Sequence, residues 1–78
     1  PNPAGSIVNF RYRLPDGVGS ADLQIRNLQG KVIESQVLLS GTYTTAWHAA
    51  GHPDGVYLYT LLLPDGTVET YKLVVLKD

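Results

Sequence analysis

The 78-residue sequence has no cysteine, so no disulfide can brace the fold and no thiolate can hold a metal. Many exported bacterial domains also lack cysteine, so this leaves the compartment open. There is no basic block either. Six Lys and Arg residues stand against seven Asp and Glu, for a net charge of −1, which argues against nucleic acid as a partner. No apolar run approaches the ~18–20 residues of a membrane helix, so membrane insertion is not expected. The longest runs, residues 61–63 and 73–76, suit strands. The chain opens at Pro1 with neither a methionine nor a signal peptide. It is expected to be a single domain, residues 1–78, cut from a longer polypeptide.

A chain of this length buries only about 60% of its unfolded surface. At ~0.05–0.15 kcal/mol per residue, its stability is expected to run from a few kcal/mol to about ten.

The periodicity present is two, not 3.6. Val8, Phe10, Tyr12 and Leu14 alternate with Asn9, Arg11 and Arg13, the pattern of a strand with one dry and one wet face. Leu23 and Ile25 alternate likewise with Asp22, Gln24 and Arg26. Residues 27–30 form a hairpin turn in which Gly30 takes positive φ. The third strand is expected at 31–39, with Ile33, Val37 and Leu39 marking its apolar side. A fourth is expected at 42–46, closed by Trp47. The segment 48–54, with Gly51 and Pro53, reads as a loop. Residues 56–63 and 67–76 form a final hairpin around the Pro64-Asp65-Gly66 turn. Pro-Asp-Gly recurs at 15–17, 53–55 and 64–66, but the flanks differ, so this is turn chemistry rather than a repeat.

Six strands, or seven if the loop around His52 pairs, predict an all-β antiparallel sandwich or small barrel. Phe10, Ile25, Trp47, Tyr57 and Leu73 are its expected core. The last hairpin carries apolar residues on both faces, and one face must be covered by something other than the core. In the last strand, Leu73 and Val75 are expected inside, continuing the register of Tyr71, with Val74 and Leu76 outside beside Lys72.

The chemistry-bearing residues are thinly spread. His48 and His52 are four apart, but Gly51 and Pro53 disfavour a helix between them and only Asp54 is near as a further ligand, so they read as loop histidines rather than a zinc site. Asp16, Asp54 and Asp65 sit in turns, and Asp22, Glu34 and Glu69 on solvated strand positions. The serines at 6, 20, 35 and 40 belong to no nucleophile motif. Gly17-Val18-Gly19-Ser20 opens a strand, not a helix, and so lacks a phosphate cradle. The seven aromatics read as core and cross-strand pairs rather than a sugar platform. No enzyme activity, cofactor or metal is expected.

The same residues, taken in order, resemble a known family. Pro1-Asn2-Pro3, the strand 7–14, the hairpin 23–32 with Asn27-Leu28-Gln29-Gly30-Lys31, Gly41 followed six residues later by Trp47, Gly55-Val56-Tyr57, and Lys72-Leu73-Val74-Val75 line up with the type A C-terminal sorting domains of the type IX (Por) secretion system. Asn27 stands where aspartate is commoner, and Lys77-Asp78 where a basic tail is usual. The resemblance implies an immunoglobulin-like β-sandwich at the C-terminus of a secreted protein of the Bacteroidetes group. It implies passage through the periplasm, recognition at the outer-membrane translocon and delivery of an N-terminal cargo to the cell surface or medium. Removal by a sortase-like peptidase, at a bond upstream of Pro1, would follow. Recognition is expected on Lys72, Leu73, Val74, Val75 and Leu76, with Gly55, Val56 and Tyr57 beside them. Two alternatives share the architecture: an assembly module like the immunoglobulin-like domain of flagellar hook-capping proteins, and a carbohydrate-binding sandwich attached to a glycosidase.

Overall fold

The computed structural model describes residues 7–76, and in them every regular element is a strand. In chain order these are β1 (Ile7–Arg11), β2 (Ser20–Arg26), β3 (Val32–Leu39), β4 (Thr44–His48), β5 (Gly55–Leu62) and β6 (Val68–Val75). They form two antiparallel sheets, a pair β1-β4 and a four-stranded sheet ordered β3-β2-β5-β6. The all-β sandwich is therefore as expected, with six strands among the described residues, since the loop around His52 joins neither sheet. The Pro1-Asn2-Pro3 start and Lys77-Asp78 lie outside the described residues.

Turn chemistry sets the connections. Between β2 and β3, the Asn27 side chain accepts from the backbone N–H groups of Gln29 and Lys31, both at 3.0 Å. Gly30 takes φ +89°, which a side chain would oppose. Pro64-Asp65-Gly66 closes the β5–β6 hairpin with backbone bonds from Gly66 to Leu63 (3.0 Å) and from Leu63 to Thr67 (2.9 Å).

The core lies between the sheets and runs along β2 and β3, where Ala21, Leu23 and Leu38 are buried beyond Ile25. Ile25, Trp47, Ala49, Tyr57 and Val75 are buried together, with Phe10 and Leu73 among the half-buried side chains packed on them. All five expected core residues belong to this group. Trp47 meets the Tyr57 ring edge-on at 5.4 Å, a favoured aromatic geometry.

One strand is inside out relative to expectation. In β3, Val37 and Leu39 are exposed and Leu38 is buried. A register shift explains it: Ile25 pairs with Glu34, while the next residue, Arg26, pairs with Val32. Ile33 is thus an extra residue on β3, a bulge. Beyond it the strand's parity is reversed, so Glu34, Gln36 and Leu38 lie beside Ile25, Leu23 and Ala21 on the inner face. Glu34 is accordingly half-buried, not solvated as expected, and its carboxylate accepts from Gln36 Nε2 at 3.0 Å. Gln36 also joins the two sheets. Its Nε2 donates to the Ala46 carbonyl at 2.8 Å, and its Oε1 accepts from the Thr45 hydroxyl.

The sheets cross at an angle, as twisted sheets do. At the Trp47 end, β4 lies over β5. Near Thr45 it lies over β3, through Gln36, while Phe10 of β1 meets Tyr59 of β5 edge-on at 4.9 Å. Further along, the Tyr12 hydroxyl reaches the Leu39 carbonyl at 3.1 Å. The small sheet therefore drifts away from β6 along its length, and the inner face of β6 is covered only near its C-terminus.

Candidate functional site

The eight residues singled out for recognition come together as one block. The hairpin register sets Gly55 opposite Val75, Val56 opposite Val74, Tyr57 opposite Leu73 and Leu58 opposite Lys72. Two-residue alternation then divides the block by face. Tyr57, Leu73 and Val75 point between the sheets. Tyr57 donates its hydroxyl to the Pro53 carbonyl, which anchors the loop 49–54, and Val75 is only 3% exposed. On the outer face Val56, Lys72 and Val74 are exposed, Val74 by 53%, and Leu76, just past the strand, by 76%. The division of β6 into Leu73 and Val75 inside and Val74 and Leu76 outside is the one the sequence predicts.

Gly55 opens β5 at φ +149°, and no heavy atom lies within 4 Å of where a Cβ would stand. Conformation rather than space therefore asks for glycine there. β6 is the edge of the four-stranded sheet, so among the described residues one side of its backbone has no strand partner, the usual starting point for strand addition. At the other end of the hairpin, Asp65 Oδ1 accepts from the Thr67 N–H at 2.8 Å. Hydrogen bonds from the Thr67 hydroxyl and then its N–H hold the Asp65 carboxyl below the ordinary carboxylate range. The Tyr71 hydroxyl donates to Glu69 at 2.6 Å, and that bond and the carboxylate's charge raise the Tyr71 pKa above the usual phenol value.

The remaining chemistry-bearing residues do not converge. His48 ends β4, exposed, and His52 lies in the following loop with its ring 5.4 Å from Trp47. Among the described residues no group of three His, Cys, Asp or Glu could hold a metal ion. The aromatics pair off across the fold: Phe10 on Tyr59, Tyr59 stacked on Tyr71 at 5.2 Å, and Trp47 on Tyr57. Tyr43 and Tyr71 are exposed, but one precedes β4 and the other lies in β6, so they make no row on a single sheet.

Sequence reasoning missed two features. One is the Gln36–Thr45 clasp, hidden because the bulge at Ile33 turns an apparently wet residue inward. The other is Thr60, buried on the outer face between Gln24 and Thr70 and sharing a 3.2 Å hydrogen bond with the Thr70 hydroxyl. A threonine between the apolar residues Tyr59 and Leu61 of β5 was the available signal.

Searches of curated proteins and of solved structures return no match. A family model does match, that of the secretion system C-terminal sorting domain (Por_Secre_tail), over residues 1–76. With nearly the whole length covered, including all eight residues of the β5–β6 block, the chain belongs to the type IX C-terminal sorting domain family.

Proposed function

We propose that this domain directs an N-terminal cargo through the type IX outer-membrane translocon to the cell surface, with the outer face and free edge of β6 as its recognition surface. The cargo crosses the periplasm with the sorting domain folded behind it, and a sortase-like peptidase then releases the domain upstream of Pro1. The family supports the secretion role itself. The observation supporting the recognition surface is the split in β6: Leu73 and Val75 anchor the strand, while Val74 and Leu76 stand exposed beside Lys72 on an edge. Apolar side chains in the open next to unpaired backbone suit a protein partner that adds both a strand and a small apolar surface. Gly55 and Val56 extend that surface onto β5. Tyr57, Leu73 and Val75 serve it from inside, by fixing the strand.

The test is a fusion of the domain, with its native upstream linker, behind an unrelated periplasmic protein in a type IX-competent cell. The parent fusion is expected at the surface. Val74→Thr and Leu76→Asn fusions are expected to stay folded and remain in the periplasm. Full surface display of both variants would place recognition elsewhere. Retention of the parent fusion, with the domain folded, would remove the secretion role.

A further inference from the structure

The drift of the small sheet leaves a groove of about 260 Å³ between β1 and the inner face of the hairpin's turn end. Its floor is formed by Tyr59, Leu61, Leu63 and Tyr71, with Ala21, Leu23 and Leu38 behind them and the Glu69 carboxylate beside Leu61 on the same face. Its wall is the continuous run of residues 10–15. β1 ends within this run, at Arg11, and inward and outward residues of the run alike line the groove, so its edge faces it. The hydrogen bonding agrees. Tyr12 N–H donates to the Tyr43 carbonyl at 2.9 Å, on the β4 side. The alternation of an antiparallel ladder turns the N–H and C=O of the neighbouring Arg11 the other way, toward the groove. Among the described residues no strand pairs with this side of β1, which leaves an open strand position beside β1 and over the N-terminal half of β6.

We propose that this position takes an extended peptide from another protein, with apolar residues at alternate positions and carboxylates between them. The pattern follows from the two neighbours the guest would have. Cross-strand neighbours share a face, so every second guest residue lies beside Phe10 and Tyr12, over Tyr71 and Leu61. The intervening ones lie beside Arg11 and Arg13, which are exposed on the outer side. Among the described residues neither arginine has a side-chain hydrogen bond or ion pair. Two guanidinium groups spaced by two along the lip match two carboxylates spaced by two on the guest, and arginine forks bind carboxylates well. Glu69, across from Leu61 on the inner face, accepts from the Tyr71 hydroxyl. This surface lies on the other face of β6 from Val74 and Leu76, and the inference does not depend on their role.

The test uses the isotope-labelled 78-residue chain and two terminally blocked heptapeptides, one alternating valine with aspartate, the other valine with lysine. Amide shifts on titration locate the site. The aspartate peptide is expected to move Arg11, Arg13 and Tyr71, and the lysine peptide to bind about tenfold more weakly. In the double variant Arg11→Glu and Arg13→Glu, both exposed and so compatible with folding, the order should reverse. The proposal fails if neither peptide binds, if shifts map to the edge of β3 or the outer face of β6, or if charge reversal leaves the preference unchanged. It also fails if sedimentation shows a second copy of the chain occupying the groove.

Discussion

The two halves of β6 share one partner strand and one alternating pattern, yet only one half is buried. From Val68 to Lys72 every residue is exposed, on both faces, whereas Leu73 is half-buried and Val75 almost completely so. Pairing is the same throughout, residue for residue with β5. The difference lies in the second layer, since the crossed β1-β4 sheet covers the C-terminal half and misses the other. Strand pairing satisfies backbone groups, but burial, and most of the stabilisation, needs a second layer.

The largest expected contrast follows from that. Trp47→Ala empties the covered end and should cost ~3–5 kcal/mol, a large part of the few to about ten expected for the whole domain. Tyr71→Ala, in the open half, should cost no more than about 1 kcal/mol. Thermal melts followed by far-ultraviolet dichroism measure both. Similar losses would mean that the open half also carries the fold.

Neighbouring positions sharpen the comparison within three residues. Val75→Ala should cost about 2 kcal/mol, through lost burial and the cavity left behind. Val74→Thr should stay within about 0.5–1 kcal/mol. Urea midpoints with an unchanged slope would give the two values directly. Equal costs would show that the face assignment of β6 fails in solution.

Next in size is the clasp between the sheets. Gln36→Ala leaves the Ala46 carbonyl and the Thr45 hydroxyl without their partner at the sheet interface, and should cost about 1–2 kcal/mol. A Gln36→Ala, Thr45→Ala double-mutant cycle in urea would show coupling if the bond operates in solution. Additive losses would reduce it to a surface contact.

How far the sequence reveals this arrangement depends on the kind of signal. Strands and turns are local, and Asn27-Leu28-Gln29-Gly30 and Pro64-Asp65-Gly66 fix them with their own side chains. The β5–β6 hairpin and the faces of its last strand were therefore legible, as were core residues such as Trp47 and Ile25. The bulge at Ile33 was not, because one extra residue leaves no mark in composition while it inverts all that follows. Val37 and Leu39 read as the apolar side of that strand for that reason. The crossing of the sheets depends on side chains from four strands at once, so neither the groove beside Arg11 nor the exposure of Tyr71 could be read along the chain.

The smallest effect belongs to the turn that closes the open half. Asp65 has its carboxyl held below the ordinary range by the hydroxyl and N–H of Thr67. A carboxyl whose folded pKa is depressed binds its proton more tightly in the unfolded chain. It therefore adds stability above its unfolded pKa of about 3.9, and that stability fades as pH falls through the lowered folded value. Asp65→Asn keeps an oxygen that can accept from Thr67 and removes only the charge. Near neutral pH the parent should melt slightly higher than the variant, and the gap should close in strong acid. Amide exchange at Leu63 and Thr67 should follow the same course, while exchange at Ile25 in the covered core should not. The group is exposed and screened, so the gap should be well below those of Gln36 and Val75. A gap that widened toward low pH would mean that the charge opposes the turn, and that the backbone and Gly66 alone set the hairpin's register.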